Sequence, residues 1–358
     1  MQNELEELFP PRGEECYPMA VLRRHGHLQL ALPSRGSAAL YGIELYPAQR
    51  RVARCIRSAL SLFAKLDLPI PLPRTEIHLD PESPFTRFLK SFAIGNTFDL
   101  SIYAGNPKVP GRRWLCLVSS AKKPVCVVKA GVTPEARALI AREVDFLCSA
   151  MPSHSLKVIA QHDCNRVRAF AGPFIPEHRK SSLSICEAIH ITEEWIRKDA
   201  FSPLGTRPAL QALVAKTRNE AELRRLHTIS SVTAVETISH GDYAPWNIKR
   251  DRDSSEWIVV DWERGDYNGV PGWDIIHFLV QPLILVHRAS PSSIVKQLCS
   301  FLTSPTWMRR AEANGVSNIS LQLAWSYALH AGRVNRQSEK SDTLEEVAKI
   351  LASICRAA

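Results

Sequence analysis

Residues 238–263 hold the densest chemistry in this chain of 358 residues. His240, Gly241 and Asp242 stand together, Asn247 follows five residues after Asp242, and Asp261 follows fourteen residues after that. Two of these side chains are carboxylates and one is a carboxamide, so all three offer hard oxygen atoms. Between them lie a charged, Ser-rich turn at 250–255 and a β-branched apolar run at 257–260, which reads as a strand. Oxygen donors at the ends of two short apolar runs suit phosphoryl transfer. That chemistry needs a base beside an attacking hydroxyl and hard ligands for magnesium, which prefers carboxylate, amide oxygen and water. A plainer reading stands beside it, with Asp242 and Asn247 as turn formers and Asp261 as a strand-end cap.

Protein kinases draw the base and one metal ligand from His-Arg-Asp-x-x-x-x-Asn, and a second ligand from Asp-Phe-Gly. Here the interval from Asp242 to Asn247 is the same, Gly241 takes the place of the arginine, and Asp261-Trp262-Glu263 takes the place of Asp-Phe-Gly. In this form the stretch resembles the signature of the aminoglycoside phosphotransferase and choline kinase-like family. The resemblance covers residues 95 to 280. It implies an α+β, protein-kinase-like, two-lobed fold, with a small antiparallel-sheet N-lobe and a mainly helical C-lobe. It implies ATP and Mg2+ as cofactors and a hydroxyl-bearing small molecule as acceptor. By the same resemblance Asp242 would be the catalytic base, Asn247 and Asp261 would hold magnesium, and His240 would brace the loop. Asp274 follows Pro271-Gly272 at a helix entrance. It would fix that loop by hydrogen bonds, and capping of its own helix is compatible with that role. Glu263 would assist at the metal or, preferably, cap the strand.

Other segments must position these groups. Three strands are expected at 98–103, 114–118 and 124–129, forming an antiparallel meander. Its first hairpin holds Gly105 and Gly111, and in the resembled fold that hairpin covers the nucleotide phosphates. With two prolines between 104 and 113 it reads nearly as well as an ordinary turn. Lys129 closes the third strand. Thr133-Pro134 then signals a helix start, and Glu143 falls on the same helical face as Leu139 and Leu147. A carboxylate on an apolar face needs a partner. Lys129 is the natural one, matching the kinase Lys–Glu couple that holds the phosphates. Arg142 or Arg137 at the surface is the alternative. Strands at 156–159 and 166–170 would complete the small sheet, and 171–176 would be the hinge. Helices are expected at 183–198 and 207–227, and the region 283–358 reads as helical.

The domain boundaries expected are a 1–75 extension, a 76–171 N-lobe and a 172–358 C-lobe. Within the extension, 46–66 reads as an amphipathic helix with Val52, Ile56, Leu60 and Phe63 on one face and Arg50, Arg54 and Arg57 on another. Packing on the body is the favoured reading, and contact with an anionic lipid surface is the sharper one.

Composition sets the remaining bounds. The net charge is +9, with 45% hydrophobic and 23% charged residues, ordinary for a globular protein. No nucleic-acid-reading motif accompanies the basic balance. No apolar run reaches membrane-spanning length, and the acidic start lacks a signal segment. The nine cysteines are scattered, which suggests reduced core thiols and a cytoplasmic setting without disulfides or zinc. Beyond residue 283 basic residues outnumber acidic ones. This argues against a polycationic aminoglycoside and towards a neutral sugar, an amino alcohol or an anionic metabolite. Two rivals to a small-molecule kinase remain: a catalytically weak nucleotide-binding pseudokinase or scaffold, and a basic membrane-surface binding protein. A protein kinase is disfavoured by Gly241 and by the lack of an Ala-Pro-Glu segment. The sequence does not set the oligomeric state.

Overall fold

The computed structural model describes residues 4–11, 15–47, 51–95, 98–107, 111–176, 183–334 and 341–357. The chain divides into two compact units, each with its own core. Unit 1 comprises Met1–Ser149, Leu156–Arg179 and Lys249–Glu256, and unit 2 comprises Ala150–Ser155, Lys180–Ile248 and Trp257–Ala358.

Unit 1 contains β1 (Glu15–Arg24), β2 (His27–Pro33), α1 (Ser37–Glu44), α2 (Arg51–Lys65), β3 (Arg74–Leu79), α3 (Pro84–Lys90), β4 (Asp99–Ala104), β5 (Arg113–Ser120), β6 (Lys123–Gly131), α4 (Pro134–Ala150), β7 (Ala160–Asp163) and β8 (Arg168–Pro173). The eight strands form one sheet in the order β3-β1-β2-β4-β5-β6-β8-β7, and every pairing is antiparallel. Strand alternation explains its two faces. Leu100, Ile102, Trp114, Cys116, Val118, Cys126 and Val128 point to one side, where Leu5, Leu8, Phe85 and Leu89 cover them. On the other side Ala20, Leu30 and Leu32 meet Ala39, Ile43, Leu60 and Ala64 of α1 and α2. Each large side chain buried this way contributes about 1.5–3 kcal/mol.

The strands before residue 76 therefore hydrogen-bond directly into the sheet rather than standing apart as an extension. The β4–β5–β6 meander follows the expected order, and Lys129 pairs in register with Leu115 and Phe170. The predicted strand at 156–159 instead lies at 160–163 as β7. In α2, Leu60 is buried and Ala53, Ile56 and Phe63 are partly buried against the same cluster, while Val52 is 72% exposed. Arg50 lies outside the described residues.

Unit 2 contains α5 (Ile185–Glu193), β9 (Ile196–Pro203), α6 (Pro208–Lys216), α7 (Glu220–Ser230), β10 (Thr233–Thr237), β11 (Ile248–Arg250, at its boundary), β12 (Trp257–Val259), α8 (Trp273–Leu285), α9 (Pro291–Leu302), α10 (Pro305–Ala313), α11 (Ser320–Arg333) and α12 (Ser341–Ala357). Two sequence expectations fail here. The helix predicted over 183–198 stops at Glu193, and 196–203 is a strand paired with β10. The helix predicted over 207–227 is two. Thr217 turns extended, and the Asn219 side chain accepts the Ala221 and Glu222 amides, starting α7 afresh. The expectation of core thiols also holds only partly: of the nine free cysteines, just Cys116 and Cys126 are buried.

Candidate active site

In unit 2 the segment between β10 and β11 forms a loop held from beneath. Asp274, in the first turn of α8, is buried, and its two oxygens accept the His240 amide at 2.8 Å and the Gly241 amide at 3.0 Å. The N-cap of α8 is Gly272 and no side chain caps it, so this carboxylate serves the loop. Burial pushes its pKa up, against the pull of His240 and the two amides.

His240 is fully buried and works as a spacer. Its Nε2 lies 3.0 Å from the Val260 carbonyl, and its Nδ1 accepts the Asp242 amide at 3.2 Å. That pattern requires the neutral Nε2–H tautomer, and burial holds its pKa below the ordinary value. Its ring lies 4.7 Å from Trp262, which itself sits 4.9 Å from Trp195. The Trp262 indole donates to the Val259 carbonyl at 3.0 Å. The middle residue of Asp261-Trp262-Glu263 thus anchors the segment in the unit 2 core, while Asp261 is less buried.

Asp242 takes three oriented contacts. His277 Nε2 lies 2.9 Å from Oδ1. Asn247 Nδ2 donates to Oδ2 at 3.2 Å and to the Asp242 main-chain carbonyl at 2.9 Å. Burial alone would raise this carboxyl, but the His277 hydrogen bond and the charges of His277 and Arg264 outweigh it, and the pKa falls below the ordinary aspartate value. Asn247 commits its amide nitrogen twice to Asp242, so its side-chain oxygen is not used in these bonds. Val260 N–H donates to the Asn247 carbonyl at 2.8 Å, tying the approach to Asp261 to this loop.

Asp261 has φ +72°, a left-handed conformation uncommon outside glycine that aspartate adopts more readily than most residues. Its negative charge acts on both Asp242 and His240. The Asp261 carboxylate and the Asn247 side-chain oxygen are hard oxygen groups of the kind that could hold magnesium rather than a softer ion.

In unit 1, Lys129 Nζ donates to Glu143 Oε2 at 2.6 Å, with side chains 12% and 2% exposed. Thr133 Oγ1 accepts the Ala136 amide at 3.2 Å and starts α4, whose inner face carries Glu143. The two glycines have local packing reasons. A Cβ on Gly105 would stand 2.8 Å from the Arg113 carbonyl, and Gly111, at φ +77°, would press one onto Leu139 at 2.9 Å. Arg112 follows Gly111. Its guanidinium binds Glu4, the Leu28 carbonyl at 3.0 Å and the Gly105 carbonyl at 3.1 Å. Residues 108–110, the middle of this hairpin, lie outside the described residues.

Sequence reasoning overlooked His277 and its partner Tyr327. Tyr327 is buried, and its hydroxyl lies 2.9 Å from His277 Nδ1. The signal that could have found it was spacing: His277 stands three residues after Asp274, hence on the same face of α8.

No family model and no curated protein matches the chain. Among solved structures it is similar to a protein assigned as a fructosamine-3-kinase from Haemophilus somnus 129PT. The identity is 12%, 76% of this chain and 96% of that chain are covered, and the TM-score is 0.46. It is similar to a thermostable mutant of aminoglycoside phosphotransferase APH(4)-Ia in complex with ADP and hygromycin B, at 12% identity, covering 75% of this chain and 97% of that one, with TM-score 0.45. It is also similar to an aminoglycoside phosphotransferase from Alicyclobacillus acidocaldarius, at 12% identity, covering 68% and 87%, with TM-score 0.35.

Proposed function

We propose that the protein is an ATP-dependent phosphotransferase that phosphorylates a hydroxyl group of a small molecule. The observation that carries this reading is the Asp242 carboxylate, hydrogen-bonded by His277 and by the Asn247 amide nitrogen, with the charge of the Asp261 carboxylate acting on it. ATP would supply the phosphoryl group, and magnesium would neutralise charge on its phosphates.

The chain's own residues would then act as follows. Lys129, oriented by Glu143, holds phosphate oxygens. Asn247 Oδ1 and the Asp261 carboxylate bind the metal. Asp242 accepts a hydrogen bond from the acceptor hydroxyl, aligns its oxygen and takes its proton as transfer proceeds. His240 and Asp274 keep the loop in place. Most of the rate enhancement would come from positioning and charge neutralisation. The acceptor expected is a sugar, an amino alcohol or an antibiotic-like metabolite.

The test is an ADP-release screen with magnesium and ATP over sugars, amino alcohols, nucleosides and antibiotics, with Asp242→Asn in parallel. Turnover stimulated by one acceptor class and lost in the variant is expected. ATP binding without turnover for any acceptor would favour a nucleotide-binding scaffold instead. Equal turnover in the variant and the parent would remove Asp242 from its assigned role.

A further inference from the structure

Behind Asp242 two side chains from different helices form a hydrogen-bonded chain, His277 on the carboxylate and Tyr327 on His277. His277 on α8 is 6% exposed and Tyr327 on α11 is 4% exposed. The chain Asp242 Oδ1–His277 Nε2–His277 Nδ1–Tyr327 Oη has both links at 2.9 Å. An ionised carboxylate only accepts, so the proton of the first link sits on Nε2. Tyr327 fills the second nitrogen and stops the ring from turning over.

We propose that His277, locked by Tyr327, is a positioning residue that fixes the Asp242 carboxylate so that Oδ2 faces the acceptor hydroxyl. This rests on the phosphotransferase reading given above. The assignment of oxygens follows from the contacts. Oδ1 accepts the shorter, 2.9 Å bond from His277, whereas among the described residues Oδ2 accepts the longer 3.2 Å bond from Asn247, so Oδ2 is the less firmly engaged oxygen and the one assigned to the acceptor proton. Without His277 the carboxylate would be held only by a residue of its own loop, and its plane could rotate. With it, the carboxylate is referred to two helices, which hold geometry more tightly than loops do. A merely structural histidine would need partners too, but any hydrogen-bonding group would satisfy it. Here the partner is the one carboxylate assigned as the base.

The experiment uses the full chain carrying His277→Ala, His277→Gln or Tyr327→Phe. It measures Mg–ATP-dependent ADP release, affinity for a fluorescent ATP analogue, and melting midpoint. His277→Ala is expected to lower kcat by about 10- to 100-fold, with KM for ATP and analogue affinity within about twofold of the parent, since misplacing a base affects the transition state. His277→Gln, whose amide N–H replaces Nε2–H, is expected to recover most of that loss. Tyr327→Phe is expected to lose several-fold in kcat at an unchanged KM for ATP. If His277→Ala fails to fold, the other two variants decide. Parent-like kcat in His277→Ala or Tyr327→Phe, or a well-folded His277→Gln with turnover well below the parent, overturns the proposal. Imidazole 15N spectra test the same link without turnover. A protonated His277 Nε2 whose signal shifts in Asp242→Asn supports the link, and an unprotonated Nε2 rules it out. A parent with no turnover but the expected spectrum would refute the phosphotransferase reading while leaving the hydrogen-bonded chain intact.

Discussion

Single side chains set the sharpest expectations. Asp242→Asn keeps the shape and removes the base. Turnover should fall by about 10²–10⁴-fold while binding of a fluorescent ATP analogue persists, which parallel kinetics and titration will check. The His277 hydrogen bond outweighs burial and holds the Asp242 carboxyl below the ordinary aspartate range, so the base stays ionised in mildly acidic solution. Turnover limited by this group should be flat from neutral pH down to about 5 and should fall only once the pH drops below the ordinary aspartate range. The stability sign agrees: a depressed carboxyl pKa contributes above the unfolded value and loses that contribution as pH falls through the folded one. His330 behaves differently. Burial, helped by the charges of Arg264, Lys216 and His277, lowers it from 6.5 to about 4. Its neutral form is favoured only in the folded protein, so stability is complete above about 6.5 and declines as pH falls towards 4. The loss is at most about 3 kcal/mol. Urea unfolding at pH 7.5 and pH 5 should register it, and His330→Gln should flatten the difference.

At the scale of elements, α8 carries the loop's support. Asp274→Ala leaves the His240 and Gly241 amides unsatisfied in a buried place, at a cost of about 1–3 kcal/mol, and kcat should fall with it. A melting curve and a rate on the same sample will check both. On α1, a Cβ added at Gly42 would lie 2.2 Å from Ser101 Oγ on β4 and 2.6 Å from Leu32. Gly42→Ala should therefore destabilise by about 1–3 kcal/mol, measurable by denaturant unfolding, because the early part of the chain is built into the sheet. That integration was not legible in the sequence. β1 pairs with β3, far along the chain, and a strand's partner leaves no local trace. The Lys129–Glu143 pairing was legible, because a capped helix with one carboxylate on an apolar face states its need locally. His277 could be placed on the Asp274 face of α8, but its partners were not legible. It meets Asp242 across 35 residues and Tyr327 across 50, separations that periodicity does not encode. The β9 strand was missed because its burial is one-sided and irregular, with three successive exposed residues at 197–199.

For the molecule as a whole, ligand linkage is the useful probe. A ligand that binds only the folded chain stabilises it by about 2.7 kcal/mol at a hundredfold excess over Kd. Mg–ATP should raise the melting midpoint of the parent, EDTA should reverse most of the gain, and Asp261→Ala or Lys129→Ala should shrink it. An unchanged midpoint with saturating Mg–ATP would count against nucleotide binding altogether. Among the described residues no helix is long and apolar enough to cross a membrane.

The position between His240 and Asp242 has one more implication. Gly241 adopts φ +75°, and a Cβ there would come within 2.8 Å of the Arg264 carbonyl and 2.9 Å of its Cβ. Backbone cannot give way as a flexible side chain can, so no larger residue fits without rebuilding the neighbouring turn. A charged latch gripping a phosphorylated segment from this spot is therefore barred by shape.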